Sequence, residues 1–375
     1  MGKHLVLAGG GHAHMTVLAR LDQFVGRGHR VTLISPSPYQ YYSGMGPGLL
    51  AGTYRPQEVR FHIRKMIEAP GGSFLEDRVS GIDAAGKRLH LASGGDLSYD
   101  AVSFNTGSGV PLGSLDGGSP NVLPVKPIEN LLRVRETLLS WKEKRPPRLL
   151  VVGGGPAGVE LAGNLWRLLR ELDREGNISL VGGSRILKAF PDRVRTLARR
   201  SLENRGIVLH QGVRTKSLAG KVALLSDGAS IPFDLALVAV GVSPAPLFRD
   251  SGLATGEDGG LTVNAFLQSP DYPEIFGGGD CIHFAPSPLD KVGVHAVRQN
   301  PVLLHNLLAA LDGGPLRPYL PPSAYLLILN LGDGRGILSR RGWTVDGRLA
   351  FLAKDYIDRR FMKKFQISGE LKEEA

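Results

Sequence analysis

Cysteine is almost missing from this 375-residue chain, with Cys281 standing alone. One thiol excludes a disulfide framework, a redox dithiol pair and a cysteine-rich metal site. There is no long apolar run, which excludes a transmembrane helix. Nothing at the N-terminus reads as a signal peptide, since Leu5-Val6-Leu7-Ala8 is short and runs straight into glycines. Met1-Gly2 lacks a myristoylation context, because Val6 occupies the place of the required Ser or Thr. The ten histidines show no metal-ligand spacing, so no metal is expected. There is no Gly-x-Ser-x-Gly elbow, because Gly107-Ser108-Gly109 has the wrong spacing. The basic patches lack interleaved aromatics, which argues against nucleic acid as a partner. These absences lead us to expect a cytoplasmic protein, soluble or peripheral on the cytoplasmic face of a membrane.

What the chain has in quantity is apolar bulk, glycine and positive charge. A 42% hydrophobic share rules out disorder, and the length suggests roughly two to three domains. Glycine contributes 50 residues, in short runs that follow apolar segments. A formal charge of +10 suits anionic partners, among them membrane surfaces and phosphate-bearing cofactors. Charge alone does not choose among them.

The glycine runs narrow the choice. Leu5 to Ala8 reads as a strand, Gly9-Gly10-Gly11-His12-Ala13-His14 as a turn, and Val17, Leu18, Leu21 and Phe24 as a helical face. Strand, glycine turn and helix form the first half of a βαβ unit. Gly9 makes the turn, Gly11 lets a pyrophosphate approach, and the helix N-terminus offers free N–H groups to it. His14 stands where the third motif glycine belongs. The next strand, Arg30 to Ile34, ends at Ser35, where an acid usually takes the ribose hydroxyls. A second copy is complete: strand Arg148–Val152, loop Gly153-Gly154-Gly155-Pro156-Ala157-Gly158, then a helix through Leu161, Leu165 and Leu168. Two such loops imply two dinucleotide sites in one polypeptide. The strand after the second loop closes at Gly182, not at an acid that would favour NAD, and Arg185 follows. Arg185 is either a phosphate partner or a solvated loop charge, so NADH and NADPH both stay open.

This pattern resembles the two-dinucleotide-binding-domain flavoproteins, in which the first loop holds FAD and the second NAD(P)H. Tyr99 to Ser108 is similar to the strand and Thr-Gly turn that close the first FAD segment. Asp234 to Gly241 resembles the strand ending the NAD segment, and Ile275 to Asp280 the late motif whose Asp binds the FAD ribitol. The lone Cys281, read as a packed residue, cannot serve a disulfide reductase or a sulfide:quinone oxidoreductase. What remains resembles the type II NADH dehydrogenases and the NADH dehydrogenase-like module that some proteins fuse to a selenophosphate synthetase. Tyr41 to Gly52 is similar to the loop wrapping the isoalloxazine ring. Lys291 to Asn300 resembles the helix under the flavin, with Gln299 matching one family glutamine and His295 replacing the other.

The resemblance implies an α/β fold with two Rossmann-like domains, the NAD domain inserted in the FAD domain, and a small C-terminal β/α unit. The FAD domain would span 1–118 and 245–318, the NAD(P)H domain 119–244, and the C-terminal unit 319–375. The cofactors implied are FAD and NADH or NADPH. Around FAD it places Gly9, Gly11, His12, Ala13, Ser35, Ser43, Pro47, Thr106, Gly107, Gly279 and Asp280. Around the nicotinamide nucleotide it places Gly153, Gly155, Gly158, Arg185 and Gly241. Glu160 matches the family's acid at the nicotinamide end, although a carboxylate early in a helix is also favoured by the dipole alone. His295 and Gln299 are candidates for the acceptor side. The activity implied is an FAD-dependent NAD(P)H dehydrogenase that passes electrons to a quinone or similar acceptor. A soluble ferredoxin- or rubredoxin-type reductase and a flavin-binding redox sensor are the alternatives.

Residues 324–345 suggest two strands turning at Gly332-Asp333-Gly334, followed by an amphipathic basic helix over 348–366. Ile357, Phe361 and Phe365 recur at helical spacing, with Leu349, Leu352, Ala353 and Tyr356 widening the stripe. Six cations, at 348, 354, 359, 360, 363 and 364, outnumber Asp355 and Asp358. Such a helix suits a membrane surface. Docking on the protein's own core or on the partner of a homodimer is the alternative.

Overall fold

The structure, a computed structural model, describes residues 2–115, 118–340 and 342–373. Met1, on which the myristoylation reading rests, residues 116 and 117 of the expected FAD domain, and residues 341, 374 and 375 of the expected C-terminal unit lie outside these. Short apolar runs form parallel strands, buried on both faces of their sheets. The first sheet begins with β1 (His4–Ala8), β2 (Arg30–Ser35), β3 (Ser73–Glu76) and β4 (Ala101–Phe104). The second comprises β5 (Val122–Pro124), β6 (Arg148–Val152), β7 (Asn177–Val181), β8 (Val208–His210) and β9 (Leu235–Val238). The chain then returns to the first sheet, where β10 (Ile275–Gly277) pairs with β4. The strand orders are β10-β4-β1-β2-β3 and β5-β9-β6-β7-β8. Each sheet thus has the 3-2-1-4 core of a Rossmann fold. In β6, Leu149 and Val151 face one core, while Leu150 and Val152 face another beneath an antiparallel ribbon over 215–232.

The helix expected through Phe24 is broken. A 3₁₀ turn over His12–His14 leads into α1 (Met15–Ala19), and α2 (Asp22–Val25) follows a break at Arg20. There the backbone leaves the helical region, with φ −127° and ψ 31°. Further along come α3 (Gly46–Ala51), α4 (Pro156–Glu171), α5 (Asp192–Glu203), α6 (Gly293–Asp312) and α7 (Arg348–Phe365). The C-terminal sheet has three antiparallel strands, β11 (Leu327–Asn330), β12 (Gly336–Arg340) and β13 (Trp343–Gly347). Only two were expected; β13 is largely exposed, and its alternating Trp343 and Val345 face solvent instead of a core. This sheet rests on α4 at Gly163, where a Cβ would stand 2.3 Å from the Leu331 carbonyl oxygen.

The membrane stripe needs correcting, because α7 has two apolar faces. Met362 and Phe365 are buried, and Phe361 packs at 4.8 Å from Tyr42 and 6.0 Å from Phe61 between ring centroids. Leu349, Leu352, Tyr356 and Ile357 form a separate exposed face. Two of the six cations also leave that face. Lys354 turns inward to Asp358, and Arg359 pairs with Asp355 and Glu58.

Asp234, just before β9, ties down the start of that strand between β5 and β6. Its carboxylate accepts from the Arg145 guanidinium at 2.6 and 2.8 Å, from Arg148 Nη2 at 3.0 Å and from the Arg148 amide at 2.9 Å. Those donors, Arg145 first, hold its carboxyl well below the usual carboxylate range. The stabilisation is therefore complete above the unfolded value of ~3.9 and is lost as the pH falls toward the native one. Asp234→Ala is expected to lower the unfolding free energy by about 1–3 kcal/mol at pH 7. Urea titrations should show the difference shrinking only below that unfolded value.

Candidate cofactor sites

The first loop is held by Asn105, the residue after β4. A Cβ on Gly9 (φ +90°) would lie 2.4 Å from the Asn105 carbonyl oxygen, and one on Gly11 1.5 Å from Asn105 Oδ1. Gly11 is thus required by the chain's own packing, before any ligand enters. Asn105 Nδ2 also donates to the Gly278 carbonyl at 2.7 Å, joining this loop to the end of β10. His14 replaces the third glycine by turning into the core, with Nδ1 at 2.7 Å from the Gly9 carbonyl and Nε2 at 2.8 Å from Ser103 Oγ. Both ring nitrogens of His14 are thus engaged within the protein. His12 is different. Its ring lies against Tyr42 and Phe361, and its buried Nε2 has no partner among the described residues. Burial, helped by Lys126 and opposed by Asp280, lowers its pKa to about 4. A neutral imidazole with a free buried nitrogen beside a glycine loop fits a bound FAD. Ala13 is buried within the 3₁₀ turn and Ser35 at the end of β2.

Asp280 follows β10 and the left-handed Gly279, φ +74°. Burial opposes its charge, but Lys126 Nζ at 2.7 Å and Ser108 Oγ at 2.8 Å hold its pKa below the usual range. Lys126, just before a cis Lys126–Pro127 bond, was not legible as a site residue. Gln299 on α6 accepts from the Gly279 amide at 2.7 Å, so it positions this turn. His295, one turn earlier, bonds Tyr319 through Nδ1 at 3.0 Å, and burial lowers its pKa. His295, Gln299 and Asp280 line one small cavity together with Phe284 and Leu289. Gly107 (φ +72°) is open on its Cβ side and Thr106 is exposed. Ser43 is half-buried, while Pro47 is fully enclosed in the first turn of α3.

The three glycines of the second loop divide the work. Gly153 (φ +123°) would bring a Cβ within 2.2 Å of the Ala239 carbonyl, and Gly158 one within 1.8 Å of the Gly153 carbonyl. Gly155, the residue before α4, has nothing within 4 Å of its Cβ position. Gly153 and Gly158 therefore serve the fold, and Gly155 leaves the room a pyrophosphate needs. Gly241 (φ +112°) and Arg185 are exposed at the same end of this sheet. Glu160 on α4 accepts from the Asn330 amide at 2.7 Å. Burial, with Lys354 opposing, pushes its pKa up to about 7. Lys354 on α7 donates to Asp358 and to the Gly44 carbonyl, each at 2.7 Å, and Tyr42 donates to Asp358 at 3.1 Å. Periodicity assigned Lys354 and Asp358 to a solvated helix face, so sequence reasoning missed them here.

Residues 3–305 match the pyridine nucleotide-disulphide oxidoreductase family. The chain belongs to that family. It is an FAD- and NAD(P)H-dependent oxidoreductase with two Rossmann-like domains. The family name notwithstanding, its one cysteine is fully buried, with Sγ at 3.3–3.4 Å from the Gly278 and Phe104 carbonyls and its pKa raised by burial. Demethylphylloquinone reductase NdbB from Synechocystis sp. is 26% identical, covering 93% of this chain and 90% of that one. The mitochondrial internal alternative NAD(P)H-ubiquinone oxidoreductase A1 from Arabidopsis thaliana is 22% identical, covering 83% and 68%. Among solved structures, NDH2 from Plasmodium falciparum in complex with NADH has a TM-score of 0.80 at 14% identity, covering 99% of both chains. The sulfide:quinone oxidoreductase of Aquifex aeolicus matches equally well in fold, with TM-score 0.80 and 18% identity over 98% and 92%.

Two outcomes test this arrangement. Gly153→Ala is expected to cost more than ~1 kcal/mol of stability, whereas Gly155→Ala keeps its melting temperature and loses affinity for the nicotinamide nucleotide, as thermal melts and calorimetry would read. A carboxyl with a raised native pKa costs stability as pH rises, from none below the unfolded value of ~4.3 to the full amount above about 7. Glu160→Gln is therefore expected to melt higher than the parent at pH 8, the difference vanishing near ~4.3.

Proposed function

We propose that this chain is a membrane-surface NAD(P)H:quinone oxidoreductase of the type II NADH dehydrogenase kind. The observation that carries this reading is the likeness, along nearly the whole of both chains, to a demethylphylloquinone reductase. In this reading, residues 1–118 and 245–318 hold FAD, 119–244 hold NAD(P)H, and 319–375 form the C-terminal unit. Bound FAD supplies the two-electron chemistry, taking hydride from the nicotinamide and reducing the acceptor. The chain's own groups bind, orient and hold protons. Asp280, kept ionised by Lys126, would hold the ribitol. His12 offers its free imidazole nitrogen beside Tyr42, and Ser43 and Pro47, on the same stretch as Tyr42, would line the flavin ring. Ala13, Ser35, Thr106 and Gly107 would flank the rest of FAD. Gly153, Gly155, Gly158 and Gly241 would pass the nicotinamide nucleotide.

Proton balance gives Glu160 a task. NAD(P)H plus quinone yields NAD(P)⁺ plus quinol only if one further proton is taken up. A carboxyl with a pKa near neutrality can both hold and release that proton. His295, fixed by Tyr319, stands beside Asp280 as a candidate for the acceptor side, and Gln299 keeps the Asp280 turn in place.

The exposed face of α7 and β13 supports a membrane surface. Trp343 on β13 is 78% exposed, and on α7 Leu349 is 76% exposed, with Leu352, Tyr356 and Ile357 and the cations Arg348, Arg360, Lys363 and Lys364 also exposed. Among the described residues, no helix is long and apolar enough to cross a membrane. The first test is anaerobic titration of the flavin-loaded protein with NADH and NADPH, followed by a short-chain quinone. Bleaching by a nicotinamide and reoxidation by the quinone are expected. Reoxidation by a ferredoxin but not by quinone would overturn the reading. Leu352→Glu/Tyr356→Glu should reduce binding to anionic vesicles about tenfold or more while leaving flavin reduction unchanged. A parent that ignores vesicles and instead forms a dimer dissociated by these substitutions would assign the face to a second copy.

A further inference from the structure

The loop between β7 and α5 carries a feature that nicotinamide binding in general does not require. Residues 182–187 lie against the second glycine loop, where the Leu187 amide donates to the Gly154 carbonyl at 2.6 Å. The Gly212 amide donates to the Gly183 carbonyl at 2.7 Å, and the Ile186 amide to Gln211 Oε1 at 3.1 Å. Ile186 and Leu187, each 1% exposed, anchor the loop in the core. Between these fixed points Ser184 and Arg185 are left exposed at the C-terminal end of β7. This end of β7 is where the adenosine ribose of a Rossmann-bound dinucleotide is read.

The charges there are all of one sign. Neither 182–191 nor 206–214 contains an Asp or Glu, while Arg185, Lys188 and Arg214 are present, with His210 beside Val181 in register. The first acid after β7 is Asp192, already paired with Arg195. Arg185 itself makes no hydrogen bond or ion pair among the described residues. A carboxylate reading the ribose hydroxyls would have to stand where Gly182 is, and a Cβ there would meet Ile186 Cγ2 at 2.9 Å. The place of the NAD-selecting acid is thus filled by the core, and an unpaired guanidinium stands three residues beyond it.

We propose that residues 182–187 form a subsite for the 2′-phosphate of NADPH, with Arg185 as the specificity-determining residue and NADPH as the preferred reductant. This rests on the nicotinamide half of the reading above and not on the quinone. The guanidinium fork matches a phosphate in two parallel hydrogen bonds, which an ammonium does not reproduce.

The test is calorimetry of the FAD-loaded protein with NADP⁺, NAD⁺, adenosine 2′,5′-bisphosphate and AMP. The wild type should bind the two 2′-phosphorylated ligands about 10- to 100-fold tighter than their counterparts, with an advantage that shrinks in salt. Arg185→Ala should remove most of that advantage while NAD⁺ affinity stays within about twofold, and Arg185→Lys should retain part of it. Equal affinities in the wild type, or equal losses for both dinucleotides in Arg185→Ala, would overturn the proposal. Binding of neither dinucleotide would overturn it together with the nicotinamide reading. Selective NADP⁺ binding without quinone turnover would sustain it and overturn only the acceptor half.

Discussion

The first nucleotide site depends on one carboxamide. Asn105 occupies the volume that forces glycine at position 11, and its Nδ2 holds the Gly278 carbonyl at the far end of the chain's excursion through the second sheet. The two separated stretches that share the first sheet therefore meet at the same point as the glycine turn. Folding that half requires β10 to return across more than a hundred residues, a long-range closure of the kind that folds slowly. A hydrogen bond between buried partners at that seam also sets the register of Gly279 and Asp280, hence where the carboxylate points. Packing and ligand geometry are decided there by the same atoms.

Buried charge forms a second layer of order. Lys126 serves Asp280, and Lys354 serves Asp358 while acting on Glu160. Each lysine comes from an element remote in sequence from its acid or lies on the inward side of a helix whose outward side is unrelated. Removing either partner of such a pair leaves an uncompensated charge, which is costly in a protein interior. The arrangement ties the cofactor-facing residues to the docking of α7 and of the segment after β5.

The parts of this molecule that were legible in the sequence are those with short-range rules. Gly153 and Gly158 announce a loop because conformation or space allows no other residue there, with Gly155 completing the spacing, and β6 reads directly as a continuous apolar run. His14 hid the first loop's third position, since its substitution works through hydrogen bonds to Gly9 and Ser103 that only the fold brings together. α7 was placed to within one residue, yet its faces were merged, because Ile357 and Phe361 are neighbours in helical projection but face solvent and core respectively. Lys126 and Asn105 were invisible as site residues because nothing local distinguishes a lysine or asparagine that will meet Gly278 or Asp280. β13 was not separated from its neighbour because it is short and its apolar residues, Trp343 and Val345, face solvent.

The burial of Cys281 has a practical side. The sole thiol of the chain is fully enclosed, with its sulfur against two carbonyls and its ionisation disfavoured. Thiolate chemistry requires both access and deprotonation, so the folded protein is silent toward alkylating and disulfide-forming reagents. A cysteine introduced anywhere on its surface becomes the single reactive handle, without prior removal of a native one. Spectroscopic labels can then be set on the outer face of α7 or beside Arg185 one at a time, and a protein prepared without reductant reaches the flavin's redox chemistry uncontaminated by thiols.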